Sequence, residues 1–139
     1  MCRHLAYLGP PVTLAECFLE RPHSLLHQSW APVDMRGGGT VNADGFGVGW
    51  LPAAPASSGA AGDTVDAVDT HDAGVGGTAR RYRRDVPIWA DACLPDLAAS
   101  ISSTAILAAV RSATVGMAVT ETACAPFVAG SWIDRKSVV

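Results

Sequence analysis

Asn42-Ala43-Asp44-Gly45-Phe46-Gly47-Val48-Gly49-Trp50 limits the available folds more than any other stretch of this chain. Glycine occupies positions 45, 47 and 49, with a large apolar residue after each. A period of two is the signature of a β-strand, whose successive side chains point to opposite faces. Phe46, Val48 and Trp50 therefore share one face, and the other face is bare backbone. Asn42 and Asp44 set a turn ahead of the strand. Bare strand faces mark close approach by another segment or by a ligand. A tightly packed structural strand satisfies the pattern equally well.

A second strand follows from Thr104 to Val110 (TAILAAV), an unbroken apolar run of strand length. Such a run belongs to the middle of a sheet, buried on both faces. It delivers Arg111-Ser112-Ala113-Thr114 at its end. A guanidinium there is costly unless paired. Its planar two-pronged donor face suits a carboxylate, either a ligand or an internal partner.

At the amino terminus, Arg3 to Leu8 alternates as a strand, which Gly9-Pro10-Pro11 is expected to end. Thr13 then opens a helix to about Glu20, with Thr13 and Glu16 placed as a capping box and Leu14, Cys17 and Phe18 as its apolar stripe. Cys2 directly follows Met1. Removal of Met1 would leave an α-amine and a thiol on one residue. An α-amine ordinarily titrates near about 7.7–8.0 and a cysteine thiol near about 8.5. The amine is thus a base held beside a nucleophile that needs one.

Other segments carry weaker signals. His23 and His27 stand at helical spacing but lack the glutamate and third ligand of a zinc site, so they read as pocket or surface histidines. Arg36-Gly37-Gly38-Gly39 lacks the Gly-Lys-Ser/Thr ending of a phosphate loop and reads as a turn. Residues 52–78 are rich in Ala, Gly, Ser, Thr, Asp and Pro without Lys or Arg, and read as a solvated, mobile acidic loop. Ala79 to Asp85 (ARRYRRD) follows it as a basic strand. Strand, loop and strand make a hairpin with an extended tip. Leu94 to Ile101 reads as a short helix with Pro95 in its first turn, and Thr120 to Phe127 as a loop or short helix.

Composition closes several alternatives. A 139-residue chain that is 49% hydrophobic builds one domain or part of a larger one. Net charge is −3, which gives no reason to expect nucleic acid or an anionic membrane as partner. No 18-residue apolar span or signal peptide is apparent, and the four cysteines are widely spaced. A cytoplasmic protein with reduced thiols is the expectation.

M-C-R-H-L-A-Y-L-G, N-A-D-G-F-G-V-G-W and A-A-V-R-S-A-T-V-G, in that order, resemble the class II (N-terminal cysteine) glutamine amidotransferases. P-H-S-L-L-H-Q-S-W-A-P, P-I-W-A-D and A-P-F-V-A-G-S-W are similar to the γ-glutamyl hydrolases of ergothioneine biosynthesis within that family. The resemblance implies an α+β fold, the amino-terminal portion of an αββα N-terminal-nucleophile sandwich. It covers residues 1–132, with 52–78 as an insertion. Cys2 is then the nucleophile with its own α-amine as base. Arg111 binds the substrate α-carboxylate, Ser112 and Thr114 shape the glutamyl pocket, and Asp44 and Gly45 line the cleft nearby. The implied reaction hydrolyses a small γ-glutamyl substrate through a thioester, releasing glutamate, with no metal or organic cofactor. Oligomeric state stays open.

In the family, the segment after the tryptophan runs into a strand ending His-Asn-Gly, which supplies the oxyanion hole, and a later acidic residue takes the substrate amine. Here residues 133–139 read Ile-Asp-Arg-Lys-Ser-Val-Val, with the only lysine beside nine arginines. They read as a non-native tail on a truncated copy, which is expected to lack turnover. A glutaminase module feeding ammonia to a synthetase and a non-catalytic remnant are the alternative readings.

Overall fold

The computed structural model describes residues 2–33, 41–52 and 77–136. The Arg36–Gly39 turn, most of the acidic loop and the last residues of the tail lie outside them. The described residues form two antiparallel sheets. The larger holds β1 (Arg3–Thr13), β2 (Phe46–Trp50), β3 (Arg80–Arg84) and β4 (Ser102–Val110), in the order β1-β4-β2-β3. The smaller pairs β5 (Phe127–Ala129) with β6 (Trp132–Asp134). Helices α1 (Leu25–Trp30) and α2 (Leu94–Ser100), with a helical turn at Glu16–Glu20, complete an α+β architecture.

Register sorts the side chains. Leu5, Ala108, Val48 and Tyr82 form one cross-strand row, and Tyr7, Ile106 and Trp50 another. Both rows face the helices, where Phe18, Leu25, Leu94 and Ala98 are buried against Phe46, Val48, Ile106 and Val110. Each fully buried Phe or Leu contributes about 1.5–3 kcal/mol through burial. The opposite face carries His4, Ala109, Gly47 and Arg83 in one row, and Ala6, Leu107, Gly49 and Arg81 in the next.

The bare glycine face meets a segment of the chain itself. A Cβ on Gly49 would lie 2.9 Å from both Pro126 Cγ and Ile133 Cγ2, and one on Gly47 would run into the Ala125 carbonyl oxygen. The stretch from Cys124 through β6 thus covers β2 and β3. The basic strand takes part as well. Arg83 donates to the carbonyl of Cys124 at 3.0 Å and lies over the Phe127 ring, whereas Arg80 and Arg81 are exposed. The strand is therefore solvated only in part.

Expectation and structure differ most at Gly9-Pro10-Pro11. β1 does not stop there but continues to Thr13, with its register against β4 shifting between Leu8 and Val12. Prolines lack the N–H a ladder needs, yet β1 is an edge strand and the irregularity relieves residues 9–11 of pairing. The Tyr7 hydroxyl donates to the Pro10 carbonyl at 2.7 Å across this stretch. Thr13 caps as expected, its hydroxyl accepting from the Glu16 N–H at 3.0 Å. Glu16 itself turns to Arg21, which donates to it at 2.9 Å. Residues 25–30 form α1, with Ser24 Oγ capping the His27 N–H at 3.1 Å.

No helix among the described residues is long and apolar enough to cross a membrane.

Candidate active site

Three strand ends meet on one side of the sheet. Arg3 pairs with Val110, and Val110 with Phe46, so Cys2, Arg111 and Gly45 leave the sheet together. The β2–β4 ladder runs one step further. Arg111 N–H donates to the Gly45 carbonyl at 2.8 Å, and Asp44 N–H donates to the Arg111 carbonyl at 3.0 Å. Gly45 has φ of +122°, a conformation side chains rarely adopt, and a Cβ there would strike Cys124 Sγ.

A cleft of about 350 Å³ opens at this corner. Cys2 and His4 of the β1 end, Phe46 of β2, Arg111, Met117 and Cys124 line it, together with Phe127 and the Arg135-Lys136 pair after β6. Its described lining contains three cationic side chains and no carboxylate. The Cys2 side chain is exposed, and its thiol approaches the Ser112 carbonyl at 3.8 Å. Arg111 is only 7% exposed, and its Nη1 is buried with no hydrogen-bond partner among the described residues. A buried donor left without an acceptor costs about 1–3 kcal/mol. An incoming anion would relieve it.

Cys124 is a second thiol in the cleft wall, and completely buried. Its Sγ lies 3.4 Å from the Arg84 carbonyl and 3.5 Å from that of Thr120. Burial pushes this thiol up, against the opposing pull of the Arg111 and Arg83 guanidiniums. It is therefore kept protonated and inert. His4 has its pKa lowered, first by partial burial and then by the Arg135 charge.

The structure thus brings Cys2 and Arg111 into one cleft. Ser112 stands beside Cys2 through its carbonyl rather than its hydroxyl. Asp44 and Gly45 lie behind the wall, joined to Arg111 and Ala113. Thr114 is exposed in a turn in which Met117 N–H donates to its carbonyl at 2.9 Å. None of Ser112, Thr114, Asp44 and Gly45 is among the cleft-lining residues. Cys124 and Met117 were not foreseen as wall residues. The alternating glycines signalled that something packs on β2, but nothing in the pattern says which segment.

Among the described residues, no group of three or more His, Cys, Asp or Glu could hold a metal ion. His27 instead packs edge-on to Trp30, with ring centroids 5.0 Å apart.

Comparison with known proteins places this cleft in context. The chain is 41% identical over 133 residues to the gamma-glutamyl-hercynylcysteine sulfoxide hydrolase of Mycolicibacterium smegmatis, covering 96% of this chain and 48% of that protein. It is 37% identical over 133 residues to the protein of the same name from Mycobacterium tuberculosis H37Rv, covering 96% and 47% respectively. The chain spans about half the length of the curated relatives it matches. No protein-family model matches it.

Proposed function

We propose that this chain carries the nucleophile-bearing part of an N-terminal-nucleophile γ-glutamyl hydrolase, built on an αββα sandwich. Its substrate on this reading is the one named for its relatives, γ-glutamyl-hercynylcysteine sulfoxide. The observation that carries the reading is a buried arginine with an unpartnered Nη1 in the same cleft as an exposed thiol at position 2.

Removal of Met1 frees the Cys2 α-amine, which takes the thiol proton. Cys2 Sγ attacks the γ-carbonyl carbon, and the C–N bond breaks as the leaving amine takes a proton from the α-ammonium. Water then attacks the γ-glutamyl thioester, releasing glutamate and restoring the thiol. Arg111 holds the α-carboxylate through charge-assisted hydrogen bonds. Ser112 fixes the Cys2 side of the pocket through its carbonyl, and Thr114 closes the turn beyond it. Asp44 and Gly45 support the wall from behind.

The test is covalent labelling of the chain, with Met1 removed, by a glutamine analogue bearing a diazoketone in place of the γ-amide. One adduct is expected, on Cys2. Arg111→Met should slow it roughly 10- to 100-fold, the worth of a hydrogen-bonded charge. Iodoacetamide, which has no carboxylate, should label both proteins alike. Equal analogue rates with and without Arg111 would overturn the reading, as would a mature chain that keeps Met1.

A further inference from the structure

Asp44 precedes β2 at the corner where β4 leaves the sheet. The ladder between these strands ends with the Arg111 N–H to Gly45 and Asp44 N–H to Arg111 bonds. The next inward N–H, that of Ala113, would lose its partner there. Asp44 Oδ2 accepts from it at 2.7 Å, a contact spanning 69 residues of sequence. One side chain thus adds a rung to the sheet after the backbone has run out of rungs.

The rung fixes what lies between its ends. Arg111 to Ala113 are held at both limits by the Asp44-Gly45 dipeptide. Inside that span, the Arg111 side chain enters the cleft and the Ser112 carbonyl stands 3.8 Å from Cys2 Sγ. Without the rung, the chain beyond Arg111 has no described backbone hydrogen bond to hold its direction until the 114–117 turn, and only the long Cys2 thiol contact to the Ser112 carbonyl lies between. The bond needs an acceptor at this place and does not need a charge.

Resting on the hydrolase reading, we propose that Asp44 is a positioning residue whose carboxylate sets the path of residues 111–113, and so aims Arg111 and Ser112 at the nucleophile, without itself contacting the γ-glutamyl ligand. Asparagine keeps an acceptor oxygen at the same reach and drops the charge. It therefore separates positioning from an ionic contact with a substrate ammonium.

The experiment compares wild type, Asp44→Asn and Asp44→Ala in two measurements. In the first, the diazoketone glutamine analogue labels Cys2. Asp44→Asn should stay within about twofold of wild type and Asp44→Ala should fall at least tenfold, with iodoacetamide labelling unchanged in both. In the second, amide hydrogen exchange is read at Ala113 with no ligand present. Asp44→Asn should keep the protection, and Asp44→Ala should exchange at least tenfold faster. If Asp44→Asn falls tenfold in labelling, the carboxylate contacts the ligand and the proposal is overturned, even where Asp44→Ala does not fold. Unchanged Ala113 exchange in a folded Asp44→Ala also overturns it. Failure of the wild type to label tells against the hydrolase reading alone, and the exchange measurement still decides the role of Asp44.

Discussion

The two faces of the four-stranded sheet are closed by different means. On the helical face, large side chains meet large side chains, and Phe18, Leu25, Phe46, Val48 and Val110 are almost wholly out of solvent. On the other face, among the described residues, the bare glycine backbone of β2 takes the Ala125-Pro126 segment directly. Beyond that cover, along β1, Cys2, His4, Ala6 and Leu8 stand open. One face holds the domain together. The other keeps a gap in which an open thiol faces a buried charge. Interdigitated packing leaves few voids larger than a water molecule. A cleft therefore belongs where a peptide lies flat on glycines rather than where side chains interlock.

Breaking the helical face should cost the most. Phe18→Ala is expected to lower unfolding stability by about 3–5 kcal/mol, read from urea denaturation. The iodoacetamide reactivity of Cys2 in the remaining folded fraction should not change. Gly47→Ala attacks the other face. Its methyl meets the Ala125 carbonyl, so a loss of about 1–3 kcal/mol is expected as the covering segment shifts. The signature is faster alkylation of Cys124, whose burial depends on that segment, and a Cys124 that stays unreactive would break the contrast between the faces.

A smaller effect comes from pH. Folding lowers the His4 pKa below its ordinary 6.5, so the unfolded chain takes up the proton first. This contribution to stability is full above about 6.5 and is lost as pH falls through the window beneath it. His4→Gln should flatten that part of the decline in urea midpoint between pH 7.5 and 5.5. The exposure of the side chain keeps the difference small. The least effect belongs to Leu8→Thr. Leu8 is 85% exposed, and the change should move stability by no more than about 0.5 kcal/mol. A larger loss would show that this part of the face is covered in the folded chain.

Features written in local pattern were legible in the sequence. The apolar run ending at Val110 is the inner strand β4, Thr13 caps its turn, Pro95 opens α2, and the alternating glycines announce a close neighbour. What pattern could not supply was partnership across distance. The course of β1 through Pro10 and Pro11 depends on its place at the sheet edge, which is a property of the whole sheet. The Asp44–Ala113 bond and the seat of Cys124 against the Gly45 turn join residues 69 or more apart. Arg111 was recognisable because a charge at the end of an apolar strand is anomalous wherever it occurs. The carboxylate that steadies its neighbour has no such local signature, since Asp before Gly is ordinary turn chemistry.

The pairing of β1 also has a consequence in time. Among the described residues β1 is an edge strand whose one neighbour is β4, and Arg3 waits for Val110. At ribosomal speeds of roughly 5–20 residues per second, its partner emerges about 5–20 s after it. For that interval the segment bearing Cys2 has no sheet to join. An aminopeptidase working on the nascent chain would meet Met1 on a loose end, before the fold draws the neighbouring thiol to its cleft. On the hydrolase reading, removal of Met1 can thus be complete before the cleft around Cys2 exists.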